Sequence, residues 1–313
     1  MKHILITGGC GYTGTVLTDS LISLGNKVTV IDTQWFGNYL KPNKQLKIIK
    51  LDIRNHDKIP MNDVDIVVHL ASIANDPSVE LNSKLSWEVN VLATLKLIEN
   101  SVKNNVKQFI YASSGSVYGV KEEKEVTEEL PLVPISTYNK TKMISERILK
   151  SYENDIKLHC IRPATVCGYS PRMRLDVTVN MFTFQALKFK SMSIFGGNQI
   201  RPNIHIQDLI NVYKHFIFNS NLPSGFYNAG FENLRIIEIA KKVENIIPSE
   251  INIKKNIDPR SYRQNSDKLL STGFIKRFSV EDAINELKEK YENKNFIESS
   301  LCYTVKRMKE LNL

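Results

Sequence analysis

The chain has 313 residues, 42% hydrophobic and 24% charged, with 42 lysines and arginines against 33 acids and a formal charge of +9. This suits a soluble globular protein of one large domain, or one with a smaller appended lobe. No run of about eighteen apolar residues occurs, which excludes a membrane-spanning helix, and residue 1 leads straight into a strand, so a cytoplasmic protein without a signal peptide is expected.

Lysines are dispersed (Lys41, Lys44, Lys47 and Lys50; Lys288 and Lys290 among acids), the pattern of a solvated surface that also favours anionic ligands. No basic helix or aromatic RNA-binding strand is present, so no nucleic-acid partner is expected. Cys10, Cys160, Cys167 and Cys302 show no C-x-x-C spacing, and the six histidines show no H-x-x-x-H. Neither a disulfide framework nor a metal site is expected.

In chain order, Ile4, Leu5 and Ile6 suit a strand buried on both faces. Gly8, Gly11 and Gly14 follow, then Val16, Leu17, Leu21 and Ile22 at helical spacing. Glycines here permit a tight turn and close approach of backbone to a pyrophosphate, at which the next helix aims its free N–H groups. Asp32 ends the next strand, 24 residues beyond Gly8, about where a ribose-binding carboxylate belongs. That carboxylate would repel a 2′-phosphate and so favours NAD over NADP. A glycine turn in another kind of α/β protein would share part of this pattern.

Residues 33–39 form an aromatic-rich loop, and 46–54 read as a strand with Asp52 near its end, suited to an adenine amino group or to a turn. Residues 64–71 give a fourth strand followed by small residues, which let backbone lie against a flat cofactor. Residues 87–102 read as an amphipathic helix containing Asn90. A fifth strand, 108–112, runs into the hydroxyl cluster Ser113-Ser-Gly-Ser116, at the strand end where open α/β sheets bind ligands. Residues 122–134 read as a surface loop, 137–152 as a helix and 157–162 as a sixth strand.

Strands alternating with helices predict a doubly wound parallel sheet of the Rossmann type. Beyond Pro163 the rhythm breaks. Helices are expected at 177–189, 209–219, 236–247, 280–291 and 302–311, short strands at 204–208 and 225–230, and a polar loop at 198–202. The expected division is a nucleotide domain, 1–165, to which 204–230 returns, and a smaller α/β substrate lobe, 166–203 and 231–313.

Tyr138 and Lys142 stand one helical turn apart, on one face. A phenol normally loses its proton near pH 10; a lysine ammonium and a nicotinamide cation beside it would bring that value towards working pH. The phenolate could then take a proton from a sugar hydroxyl as hydride leaves the same carbon, with Ser114 steadying the oxygen. A Y-x-x-x-K alone is common by chance on surface helices.

With Thr7-Gly-Gly-Cys-Gly-Tyr-Thr-Gly14, Asp32, Asp52-Ile-Arg54, His69-Leu-Ala-Ser72, Asn90, Tyr111-Ala-Ser-Ser-Gly-Ser-Val-Tyr-Gly119, Tyr138-Asn-Lys-Thr-Lys142, Arg162-Pro163 and Arg201-Pro-Asn-Ile-His-Ile-Gln-Asp208 together, the chain resembles the extended short-chain dehydrogenase/reductases of the nucleotide-sugar epimerase/dehydratase family, nearly end to end. The resemblance implies that Gly8, Gly11, Tyr12, Thr13, Gly14 and Asp32 hold NAD. It places Asp52 and Ile53 around adenine, Leu70, Ala71, Ser72, Asn90 and Pro163 along the cofactor, and Lys142 on the nicotinamide ribose. Ser116, Asn180, Arg201 and the stretch 258–263, with Arg260 and Arg263, fall where the family binds a sugar nucleotide; arginine suits a diphosphate through its planar fork. Arg172 and Arg174 either reach substrate or close a loop. A homodimer through the helix bearing Tyr138 is also implied.

Several positions depart from the family pattern. Ser114 is followed by Gly115 and Ser116 rather than by the acid pair of 4,6-dehydratases, Cys167 replaces a usual tyrosine, and Arg201-Pro-Asn203 replaces Arg-Asp. Residues 170–176 resemble a subgroup from bacterial surface-polysaccharide pathways, leaving open an ordinary UDP-galactose 4-epimerase. The expected activity is C4 epimerisation of a nucleotide sugar through a 4-keto intermediate. A net C4 oxidase or keto-sugar reductase needs the same residues, and a non-catalytic dinucleotide sensor would not need Tyr138 or Lys142.

Overall fold

The computed structural model describes residues 1–255 and 261–313. The strands are β1 (His3–Thr7), β2 (Lys27–Asp32), β3 (Leu46–Lys50), β4 (Ile66–His69), β5 (Gln108–Ala112), β6 (Lys157–Pro163), β7 (Thr165–Cys167), β8 (Ser191–Phe195), β9 (Ile200–His205), β10 (Gly225–Ala229), β11 (Glu232–Arg235) and β12 (Glu250–Lys254). The helices are α1 (Tyr12–Ser23), α2 (Asp76–Leu81), α3 (Ser83–Trp87), α4 (Ala93–Lys103), α5 (Thr137–Lys150), α6 (Thr178–Phe189), α7 (Ile206–Phe218), α8 (Ile236–Ile246), α9 (Asp267–Leu270), α10 (Val280–Glu292) and α11 (Thr304–Glu310).

Seven parallel strands form the main sheet in the order β10-β6-β5-β4-β1-β2-β3. The apolar run in β1 follows from its place at the centre. Ile4 and Ile6 face one way, into a core with Leu17 and Leu21 of α1 and Tyr213 and Phe216 of α7. Leu5 faces the other way, with Leu97 and Ile98 of α4 and Leu149 of α5. All three are fully buried, each contributing roughly 1.5–3 kcal/mol by leaving water. Winding reverses between β1 and β4, which are neighbours, and the carboxyl ends of these two strands open the crevice where such sheets bind ligands. This is the doubly wound arrangement expected from the alternation of strands and helices.

The rest of the chain builds a cap. β7, β9 and β11 form a small mixed sheet, and β8 pairs in parallel with β12. Helices α6, α8 and α10 enclose a separate core of Phe182, Met192, Ile194, Ile239, Val243 and Ile284. β10 returns to the edge of the main sheet beside β6, and α7 packs on α1. The last helix also returns: Met308 of α11 is buried in the same core as Ile53 and Val79, and Arg307 Nε donates to the Trp35 carbonyl at 2.7 Å.

Three local expectations need correction. The strand expected at 204–208 is β9, which begins at Ile200 inside the expected polar loop and stops at His205. His205 Nδ1 accepts from the Gln207 amide at 3.1 Å and caps α7, so residues 206–208 are helical. β7, β8, β11 and β12 went unread because each is only three to five residues long and partly solvated. The helix expected at 87–102 is broken: α3 and α4 flank a π-helical turn over Glu88–Leu92 that carries Asn90, and such turns often mark functional neighbourhoods. Among the described residues no helix is long and apolar enough to cross a membrane, and no cluster of potential metal ligands occurs.

Candidate active site

At the end of β1 the chain turns at Gly8, in the left-handed region with φ +74°. A Cβ there would sit 2.7 Å from the Ala71 amide nitrogen, so glycine lets the loop rest on the strand-end segment of β4. A Cβ on Gly14 would lie 2.1 Å from the Gly8 carbonyl oxygen, which makes Gly14 the packing contact between helix and loop. Gly11 differs. A Cβ there would meet only the Gly8 carbonyl and would otherwise project into the cavity that Gly11 lines. Gly11 also caps α1 without any side-chain acceptor, so the first-turn amides of Tyr12, Thr13 and Gly14 are left for an anion.

Asp32 lies over this loop. Its carboxylate accepts from the Cys10 amide at 2.9 Å and the Gln34 amide at 2.6 Å, and burial holds its pKa above the ordinary value against these bonds. Two amides leave acceptor capacity for a ribose diol. Asp52 and Ile53 line the same cavity. Burial works against the Asp52 charge, but the fork and amide of Arg54 outweigh it and hold the carboxyl below its usual range. These residues fit a dinucleotide. Cys10 fills space: burial, then Asp32, pushes its thiol up to about 12.

The hydroxyl cluster and α5 meet across the cavity. Ser114 Oγ shares a hydrogen bond with Ser116 Oγ at 2.8 Å and reaches the Tyr138 phenol. α5 is started by Ser136, whose hydroxyl donates to Asp76 Oδ1 at 2.5 Å while accepting from the Asn139 amide. Lys142 is buried, donates to the Ala112 carbonyl at 2.7 Å and lies 4.8 Å from the Tyr111 ring centre. Burial brings its ammonium down to about 7, opposed by Glu146 one turn further on. Burial also pushes the Tyr138 phenol up to about 12, opposed by the Ser114 hydrogen bond and the charge of Arg174. In the protein alone, desolvation dominates at the phenol, and Lys142 is turned to a backbone carbonyl.

The cavity encloses about 1170 Å³ and runs from the glycine loop past Ser114, Ser116, Tyr138 and Lys142 to Arg172, Arg174 and Thr178 of the cap. Leu70, Ala71, Ser72 and Pro163 line it as expected. Asn90 does not: its amide is spent on both backbone groups of Ile73, on Ser72 and on Thr141, so it positions the 71–73 segment against α5. Asn180 is also outside the lining. Fully buried, it accepts from the Gly168 amide and donates to Tyr12 Oη and the Arg174 carbonyl. Tyr12 Oη in turn donates to the Gly168 carbonyl, and Ser170 Oγ donates to the Tyr12 carbonyl. The cap loop is thus pinned to the first residue of α1.

Arg201, on β9, donates to the Ile200 carbonyl, and Arg263 is exposed; neither is among the described lining residues. Arg260 lies outside the described residues. Sequence reasoning missed the C-terminal contribution: residues 303–306, 308 and 309 line the cavity, and the Thr304 amide donates to Asp176 at 2.9 Å. Their separation from every motif left no signal to read.

A sequence profile of the NAD dependent epimerase/dehydratase family matches residues 4–230. The chain belongs to that family. It is an enzyme of the epimerase/dehydratase type whose cofactor is NAD. A putative UDP-glucose 4-epimerase of Methanocaldococcus jannaschii is 32% identical over 215 residues, 66% of this chain and 70% of the relative. UDP-glucuronic acid decarboxylase 1 of Danio rerio is 28% identical over 263 residues, 81% of this chain but 62% of that protein. A crystal structure of a UDP-glucose 4-epimerase with UDP-glucose from Thermotoga maritima shares the fold, with a TM-score of 0.84 at 24% identity over 94% of this chain and 100% of the other.

With NAD as the cofactor, the 2.1 Å separation that a Cβ on Gly14 would leave to the Gly8 carbonyl oxygen gives an expected outcome. Gly14→Ala should weaken NAD binding by roughly tenfold or more, since overpacking costs of about 1–3 kcal/mol fall on the loop itself. Titration of the purified variant checks it, and unchanged affinity would contradict the assigned role of the loop.

Proposed function

We propose that the enzyme epimerises a nucleotide sugar at C4. The observation that carries this reading is the meeting of Ser114 and Tyr138 in one cavity with the glycine loop and with Arg174 of the cap. In this reading the Tyr138 phenolate takes the proton of the C4 hydroxyl, and Ser114 donates to the same oxygen and holds it in place. Lys142 would hold the nicotinamide ribose and contribute positive charge there. Bound NAD supplies the hydride acceptor. After the sugar presents its other face, the hydride would return to C4 on that face while Tyr138 returns the proton to the oxygen, so neither protons nor reducing equivalents accumulate. Arg174, whose Nε donates to Asp176 at 2.8 Å, and Thr178 mark the sugar-nucleotide end. Gly115 and Ser116 after Ser114 provide no acid–base pair there, which supports epimerisation over 4,6-dehydration.

The test is a panel of UDP-, GDP- and dTDP-sugars with NAD, products being identified by NMR and reduced nicotinamide followed by absorbance. Inversion at C4 without net reduced cofactor is expected. Stoichiometric NADH with a released keto-sugar would overturn the proposal in favour of a net oxidase.

A further inference from the structure

The cap loop carries two arginines that line the cavity in different settings. Arg174 is paired with Asp176 and its charge is felt by Tyr138. Arg172 is not satisfied in this way. It is 4% exposed, yet its Nε and Nη1 have no hydrogen-bond partner. A buried guanidinium nitrogen without an acceptor is costly, so an orphaned pair lining a ligand cavity points to an acceptor that arrives with the ligand.

The surroundings say which ligand. The guanidinium carbon lies 4.1 Å from the ring centre of Phe36, in the loop that follows Asp32. Its charge pulls on the Asp32 carboxyl. The loop that carries it is fastened to the start of α1 by the Ser170 and Tyr12 hydrogen bonds. Arg172 therefore stands over the loop that follows Asp32, on a cap segment fastened to the start of α1.

We propose that Arg172 is a diphosphate anchor for the dinucleotide, reaching across from the cap to pair with the phosphate oxygens that the α1 N-terminus also holds. Stacking on Phe36 fixes the plane of the fork, which favours paired N–H bonds to phosphate over a point-charge contact. A residue of the cap and the glycine loop then hold the same diphosphate. Sequence alone left Arg172 between a substrate ligand and a loop closure.

The same chemistry exists in the diphosphate of a sugar nucleotide, so the test separates the two. Cofactor-stripped wild type, Arg172→Met and Arg172→Lys are titrated calorimetrically with NAD, ADP-ribose, adenosine and UDP. Removing a charge-assisted pair should weaken NAD and ADP-ribose about ten- to hundred-fold in Arg172→Met. Adenosine and UDP should be unchanged, and Arg172→Lys should recover part of the loss. A loss confined to UDP would assign Arg172 to the sugar nucleotide, and unchanged NAD and ADP-ribose affinity would also overturn the proposal. Phe36→Leu, which keeps the arginine and removes the stack, should give a smaller loss for the same two ligands and guards against a misfolded Arg172 variant. None of these readings depends on turnover, so failure of the C4-epimerase assignment would leave them intact.

Discussion

Tyr138→Phe should lose about 10²–10⁴-fold in turnover while binding NAD and melting much as the parent does. The side chain changes by one hydroxyl, and the ring stays packed in the core below α5, so folding offers no other route to such a loss. The pH dependence follows from the same site. Burial holds the phenol at about 12 in the protein alone, and only the phenolate can accept the substrate proton. kcat/KM should therefore rise with pH towards the ionisation of Tyr138 and fall below it. The positive charge of bound NAD shifts that ionisation downward. In Tyr138→Phe the rising limb should vanish, leaving a low, flat profile. A variant that kept more than about a tenth of the activity, or kept the limb, would assign the base to another residue.

The parts of this site that were legible in the sequence are those whose chemistry is local. Three glycines, a carboxylate at the next strand end and a Tyr–Lys pair one turn apart specify their own geometry, and the cavity contains them all. Asn90 and Asn180 stand outside the cavity lining, because a buried asparagine is defined by what faces it across the fold. One meets Ile73 and Thr141, the other meets Gly168, Tyr12 and Arg174. Neither set of partners is a sequence neighbour. Arg172 and Arg174 are two residues apart, yet one stacks on Phe36 and the other pairs with Asp176, a difference set by how the loop is pinned rather than by spacing. The C-terminal lining was invisible for the same reason: Asp176 and Thr304 meet at 2.9 Å across 128 residues of chain. In the fold, long apolar strands announced themselves, whereas β7, β8, β11 and β12 form on small sheets whose partners supply what their own patterns do not.

The largest structural effect is expected one turn beyond Lys142. Glu146 and Arg162 form a buried two-point pair at 2.9 and 2.7 Å, at 1% and 3% side-chain exposure. Arg162 also donates to Tyr118 Oη at 2.7 Å and lies between the rings of Tyr118 and Phe226. The pair ties α5 to β6. Glu146→Ala removes the carboxylate but not the cation it neutralises, and a stranded buried charge costs about 3–5 kcal/mol. Thermal melting should fall by on the order of 10 °C, well beyond an exposed control such as Glu99→Ala. Replacing both partners with apolar residues, Glu146→Leu with Arg162→Met, should recover much of the loss, since the two desolvation costs disappear together. Catalysis should not follow stability. Glu146 is the carboxylate that supports the Lys142 charge against burial, so in the double variant that ammonium should titrate lower than in the parent. The acid–base chemistry of α5 would then shift in a protein whose melting is largely restored. Restored melting with an unchanged pH profile would separate the two roles and show that Glu146 serves the fold alone.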